Sequence, residues 1–68
     1  MAGGFASARV EKLIRDAGAW RVSADAIKKL NELLTERGTV IAKYAVELAR
    51  HSGRKTIKEG DIVLSAAK

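Results

Sequence analysis

The sequence predicts an all-α fold of three helices, short, long and short, completed by pairing with a second copy of the chain. Three observations point there. From Ser23 to Arg50 the chain runs without a proline, and Ile27, Leu30, Leu34, Ile41, Ala45 and Leu48 recur at helical steps, with Ala26, Leu33, Val40 and Tyr44 widening the stripe on one side. At 1.5 Å per residue such a helix is about 40 Å long, more than the width of so small a globule, so most of its stripe has no cover from its own chain. Finally, the 68 residues include no cysteine and one histidine, His51. Neither a disulfide nor a zinc centre with nitrogen and sulfur ligands can then reinforce the core, which leaves a second chain to do so. Tyr44 is expected in the core of that dimer.

The elements follow in order within a single domain, residues 1–68. Residues 1–6 contain Gly3-Gly4 and show no periodicity, so they read as a flexible N-terminal arm. Ser7 is expected to cap a first helix in which Val10, Leu13, Ile14 and Ala17 form one apolar face and Arg9, Lys12 and Arg15 a basic one. Gly18 ends it. Ser23 is suited to cap the long helix, and Asp25 places a negative charge in its first turn, where the helix dipole favours it. Ser52-Gly53 closes that helix. Thr56-Ile57-Lys58-Glu59 has the pattern of a capping box ahead of a third helix carrying Ile62, Val63 and Leu64. Gly60 costs that helix about 1 kcal/mol relative to alanine, so packing must sustain it.

Thirteen lysines and arginines against eight acidic residues give a net charge of +5, doubled in a homodimer, which favours a polyanionic partner. No stretch is long and apolar enough to span a membrane, and the first residues lack the apolar run of a signal peptide, so no membrane partner and a cytoplasmic location are expected. The charge gathers in two loops. Arg21 stands with Ser23 before the long helix, and Arg54, Lys55 and Thr56 stand after it. If two chains cross antiparallel, the first loop of one lies beside the second loop of the other, and a curved phosphate track results. Cations would neutralise phosphates while hydroxyls and helix N-termini fix position, without reading base identity. Ser52 beside His51 does not make a nucleophile, because sequence neighbours supply no base geometry. With no phosphate-cradling glycine loop or metal motif either, no enzyme, catalytic residue, metal, cofactor or small-molecule substrate is expected. His51 by itself reads as a helix-end hydrogen-bond donor.

Ala17-Gly18-Ala19, Arg21-Val22-Ser23, His51-Ser52-Gly53-Arg54-Lys55-Thr56-Ile57 and Asp61-Ile62, in this order and spacing, resemble the archaeal histone family over Val10 to Leu64. The resemblance implies a histone fold, a handshake homodimer that binds, bends and wraps double-stranded DNA, and stacking of dimers into higher oligomers on it. It also implies association with the chromosome, and heterodimers with paralogous histones. A heterodimerising module of a transcription complex with weak DNA binding is the alternative. By position, Arg21 is implied at the minor groove, Lys55 and Thr56 on phosphates, and Lys12 and Arg15 as helix-one phosphate contacts. Arg54 and Asp61 match an ion pair that closes the second loop onto the last helix. Leu48, His51 and Asp61 match the surface between dimers, and Gly18 a position where layers stack. Three features depart from the pattern. Trp20, the sole tryptophan, stands where a polar or acidic residue is usual and is expected to pack against the first helix or fill the loop base. Met1-Ala2-Gly3-Gly4-Phe5 replaces a proline-containing start, and an ending at Ala66-Ala67-Lys68 is expected to shorten the third helix.

Overall fold

The computed structural model describes residues 4–67. They form three α-helices, α1 (Ser7–Asp16), α2 (Ala24–His51) and α3 (Glu59–Ala66). The two turns that separate them are built alike. At the end of α1 the Gly18 amide donates to the Arg15 carbonyl (2.9 Å) and the Ala19 amide to the Ile14 carbonyl (3.3 Å). At the end of α2 Gly53 donates to Arg50 (3.0 Å) and Arg54 to Ala49 (2.9 Å). Each is a Schellman closure with its glycine at positive φ, +113° at Gly18 and +72° at Gly53. A Cβ at Gly53 would meet nothing within 4 Å, so the requirement for glycine there comes from the backbone alone. Gly53→Ala is expected to cost about 1–2 kcal/mol, because a Cβ in the left-handed region crowds the following carbonyl. Gly60→Ala, inside α3 and free of positive φ, is expected to stabilise by up to about 1 kcal/mol. Thermal melts of the two variants should therefore shift in opposite directions.

Helix starts depart from expectation twice. The N-cap of α1 is Ala6, which makes no side-chain capping bond, and Ser7 is the first helical residue. The reason lies upstream, where the chain entering α1 is held from α2. The Phe5 amide donates to Asn31 Oδ1 (3.1 Å), Asn31 Nδ2 donates to the Phe5 carbonyl (2.7 Å), and the Gly4 amide donates to Thr35 Oγ1 (2.9 Å). Those bonds set the direction of entry that a capping side chain would otherwise set. Of the segment read as a flexible arm, residues 1–3 lie outside the described residues. Likewise, the N-cap of α3 is Lys58, not Thr56. Asp61, three residues into the helix, accepts from the Lys58 amide at 2.8 Å, so the carboxylate places the helix start. Ser23 does cap α2, its Oγ accepting from the Ala26 amide at 3.0 Å.

Residues 1–36 and 37–68 form two compact units. In the first, Val10 of α1 is fully buried and Asn31 of α2 is buried with its amide satisfied by Phe5. In the second, Ala45 and Ala49 of α2 and Asp61 and Ser65 of α3 are buried. Arg37 Nη2 donates to the Ala66 carbonyl at 3.0 Å, which satisfies one of the carbonyls left open at the end of α3. Much of the apolar surface stays outside. Leu33, Val40 and Tyr44, the side expected to need a partner, are 51%, 43% and 46% exposed, and Leu13, Val46, Ile62, Val63 and Leu64 are exposed as well. No helix among the described residues is long and apolar enough to cross a membrane.

Candidate nucleic-acid interface

The first basic loop is held at both ends and at its centre. The Schellman turn at Gly18 reverses the chain, Arg15 Nη1 donates to the Trp20 carbonyl at 3.2 Å, and Ser23 fixes the start of α2. Between those anchors Arg21 is exposed. The Ser23 hydroxyl accepts through its oxygen, which leaves its hydrogen free to donate outward. On α1, Lys12 pairs with Asp16 at 3.0 Å, and the Arg15 guanidinium pairs with Glu11 at 2.8 Å. Both are solvent-exposed pairs one helical turn apart, of the kind worth well under about 1 kcal/mol. Trp20 corrects an expectation. It is 93% exposed and packs neither on α1 nor into the loop base, because the loop is secured by the turn at Gly18, by Arg15 on the Trp20 carbonyl and by the Ser23 cap, without the indole.

The second loop is built on one guanidinium. Arg54 Nη1 donates to Asp61 Oδ2 (2.9 Å) and to the Thr56 carbonyl (3.0 Å), and Arg54 Nη2 donates to Asp61 Oδ1 (2.7 Å). This bidentate fork joins the end of α2 to the first turn of α3 and clamps the residues between them. Asp61 is 4% exposed and its carboxyl sits well below the ordinary range, lowered from 3.8 to about 2. The Arg54 hydrogen bonds are the main cause and the Lys58 amide adds to them, while burial opposes. The guanidinium is pushed upward by the same bonds. Its charge is thus matched within the loop, where Lys55 and Thr56 are exposed, as are Ser52 and Lys58.

The remaining site residues fall elsewhere. Leu48 and His51 of α2 share a surface hollow with Tyr44, Glu47, Leu64 and Ser65. His51 is 80% exposed, with Nε2 at 3.7 Å from Glu47. Asp61 is not among the residues lining that hollow, since its carboxylate is turned to Arg54 and Lys58. Gly18 has open space around a would-be Cβ. Sequence reasoning missed Asn31 and Arg37. The signal for Asn31 was legible, an amide four residues after Ile27 and three before Leu34 in the apolar stripe, where a polar group needs a partner. Nothing in the sequence marks Arg37 among the other cations of α2.

Each loop, taken by itself, sets an exposed cation near a hydroxyl, Arg21 with Ser23 in the first and Lys55 with Thr56 in the second. Over residues 4–65 the chain matches the family described as histone-like transcription factor (CBF/NF-Y) and archaeal histone. It is 52% identical over 58 residues to one of the subunits of the archaeal histone HAN1 from Thermococcus zilligii, covering 85% of this chain and 87% of that one. It is 43% identical over 51 residues to probable archaeal histone 3 of Methanocaldococcus jannaschii, covering 75% and 76%. With three helices, the matched order of motifs and these relatives, the chain belongs to the family of histone-like transcription factors (CBF/NF-Y) and archaeal histones, and its fold is the all-α histone fold.

Proposed function

We propose that the protein is a non-enzymatic, chromosome-associated histone that forms an antiparallel handshake homodimer and binds, bends and wraps double-stranded DNA with little sequence preference. The observation that carries the reading is the pair of anchored loops flanking α2, each with exposed cations beside a hydroxyl: Arg21 with Ser23, and Lys55 with Thr56. In an antiparallel dimer these meet in trans and, with Lys12 and Arg15, line a phosphate track, while Arg54 positions the second loop through Asp61. The dimer is supported by the apolar side of α2, exposed at Leu33, Val40 and Tyr44. Gly38 supports it too, since nothing comes within 4 Å of a Cβ placed there, near the middle of α2 where a second helix would cross. Dimers stack into higher oligomers on DNA through the hollow at Leu48 and His51, with Asp61 acting behind it and Gly18 leaving room between layers.

The test is micrococcal nuclease digestion of long duplex DNA saturated with the protein. A regular ladder of protected lengths is expected. One short protected fragment would confine the protein to small closed complexes, and no protection would overturn the reading. A second reading is pairing with a paralogous histone-fold chain. The name of the Thermococcus zilligii relative makes it one component of a larger histone, and the matched family also holds transcription factors, which favours such pairing. Native mass spectrometry separates the two, since a monodisperse homodimer from the purified chain supports the first.

A further inference from the structure

Trp20 has no structural employment in its own chain. It is the sole tryptophan, it is 93% exposed, and among the described residues it is held by its carbonyl, which accepts from Arg15 at 3.2 Å. The residues on either side are anchored, Ala19 through its amide to Ile14 and Ser23 as the cap of α2, so the indole projects from a set position and not from slack chain. Leaving a large ring in water forfeits the burial that would favour it, which directs attention to a partner.

The surroundings indicate which kind. From Ala17 to Ala24 the only charge is Arg21. Glu11 and Asp16 on α1 are paired with Arg15 and Lys12, and Asp25 lies in the first turn of α2. From Arg9 to Lys29 six basic side chains stand against those three acidic ones. Beside Trp20, Arg21 is exposed while Ala19 and Val22 are half-buried, so the indole is an isolated apolar group in a basic loop, unlike the contiguous apolar patch that marks a protein contact. A nucleic-acid groove offers such a loop both things at once, phosphates for the cation and sugar and base faces for the ring.

Resting on the DNA-binding reading above, we propose that Trp20 is a DNA-contacting wedge, whose indole enters the minor groove beside Arg21 and partly unstacks one base step, favouring DNA bent around the protein. Steps that unstack easily, pyrimidine followed by purine, are then preferred under the loop, which adds a weak positional preference to binding that is otherwise indifferent to sequence.

The experiment titrates the full-length protein with a duplex of random sequence and with one carrying a central TA step, following tryptophan fluorescence, acrylamide quenching and affinity over a range of salt. On saturation the indole emission is expected to change and its quenching by acrylamide to fall severalfold. Trp20→Ala, whose folding is verified by its melting curve, is expected to bind about tenfold more weakly, with an unchanged salt slope because no charge is lost, and to lose the TA preference. Arg21→Ala is expected to lower the slope instead. Unaltered quenching at saturation, or Trp20→Ala affinity within about twofold of wild type, overturns the wedge while leaving DNA binding in place. Emission that changes with protein concentration before DNA is added places the ring against another chain and also overturns it. Absence of wild-type binding to either duplex overturns both this proposal and the function it rests on.

Discussion

Asp61→Ala is expected to lower the melting temperature by roughly 10 °C. The carboxylate is 4% exposed and accepts hydrogen bonds from two partners, the fork of Arg54 at 2.9 and 2.7 Å and the Lys58 amide at 2.8 Å. Its removal uncaps α3, unclamps the second loop and strands the guanidinium, whose side chain is 31% exposed and so keeps partial hydration, which moderates the loss. Asp61→Asn, which retains an acceptor for the Lys58 amide, is expected to fall between wild type and alanine. The pH dependence has a definite sign. Because the folded carboxyl titrates at about 2 and its ordinary value is 3.8, the stability it contributes is fully present above 3.8 and is lost as pH falls from there through 2. In Asp61→Ala that acid-side loss should shrink. A melting temperature within about 2 °C of wild type would show the pair to be an ordinary surface contact.

Arg21→Ala combined with Lys55→Ala is expected to weaken duplex binding on the order of 100-fold at physiological salt, and by similar factors for unrelated sequences. Both side chains are exposed, and neither belongs to a described ion pair, so their removal should leave the fold intact. In a homodimer the double substitution removes four cations from the proposed DNA-binding surface. The slope of log affinity against log salt should therefore flatten by roughly three to four. Fluorescence anisotropy across a salt series measures both quantities. An unchanged slope would mean that these loops do not carry the phosphate contacts, whatever happens to affinity at one salt concentration.

Much of the architecture was legible in the residues. Helical spacing from Ile27 to Leu48, the glycines at 18 and 53 and the Ser23 cap lie within local reach, and the helices begin and end close to where those signals stand. Two starts were misread for a common reason. Ser7 and Thr56 have the right chemistry for caps, but Asn31 holds the chain ahead of α1, and Asp61 draws in the Lys58 amide ahead of α3. At the candidate site the basic loops were visible as composition. That Arg54 is committed to Asp61 and Thr56, leaving Lys55 outward, was not visible as composition and required the positions of all three.

What the sequence by itself determined is therefore the set of helices, the turns between them and the charge of the two loops, because each depends on backbone preferences and on neighbours three or four residues away. Only the tertiary structure decided that Asn31 clasps Phe5 from 26 residues off, that Arg37 reaches Ala66 across 29, and that Trp20 is left in water. Those outcomes turn on where the chain returns in space, and a side chain's periodicity or propensity carries no information about which distant group will stand within hydrogen-bonding distance of it.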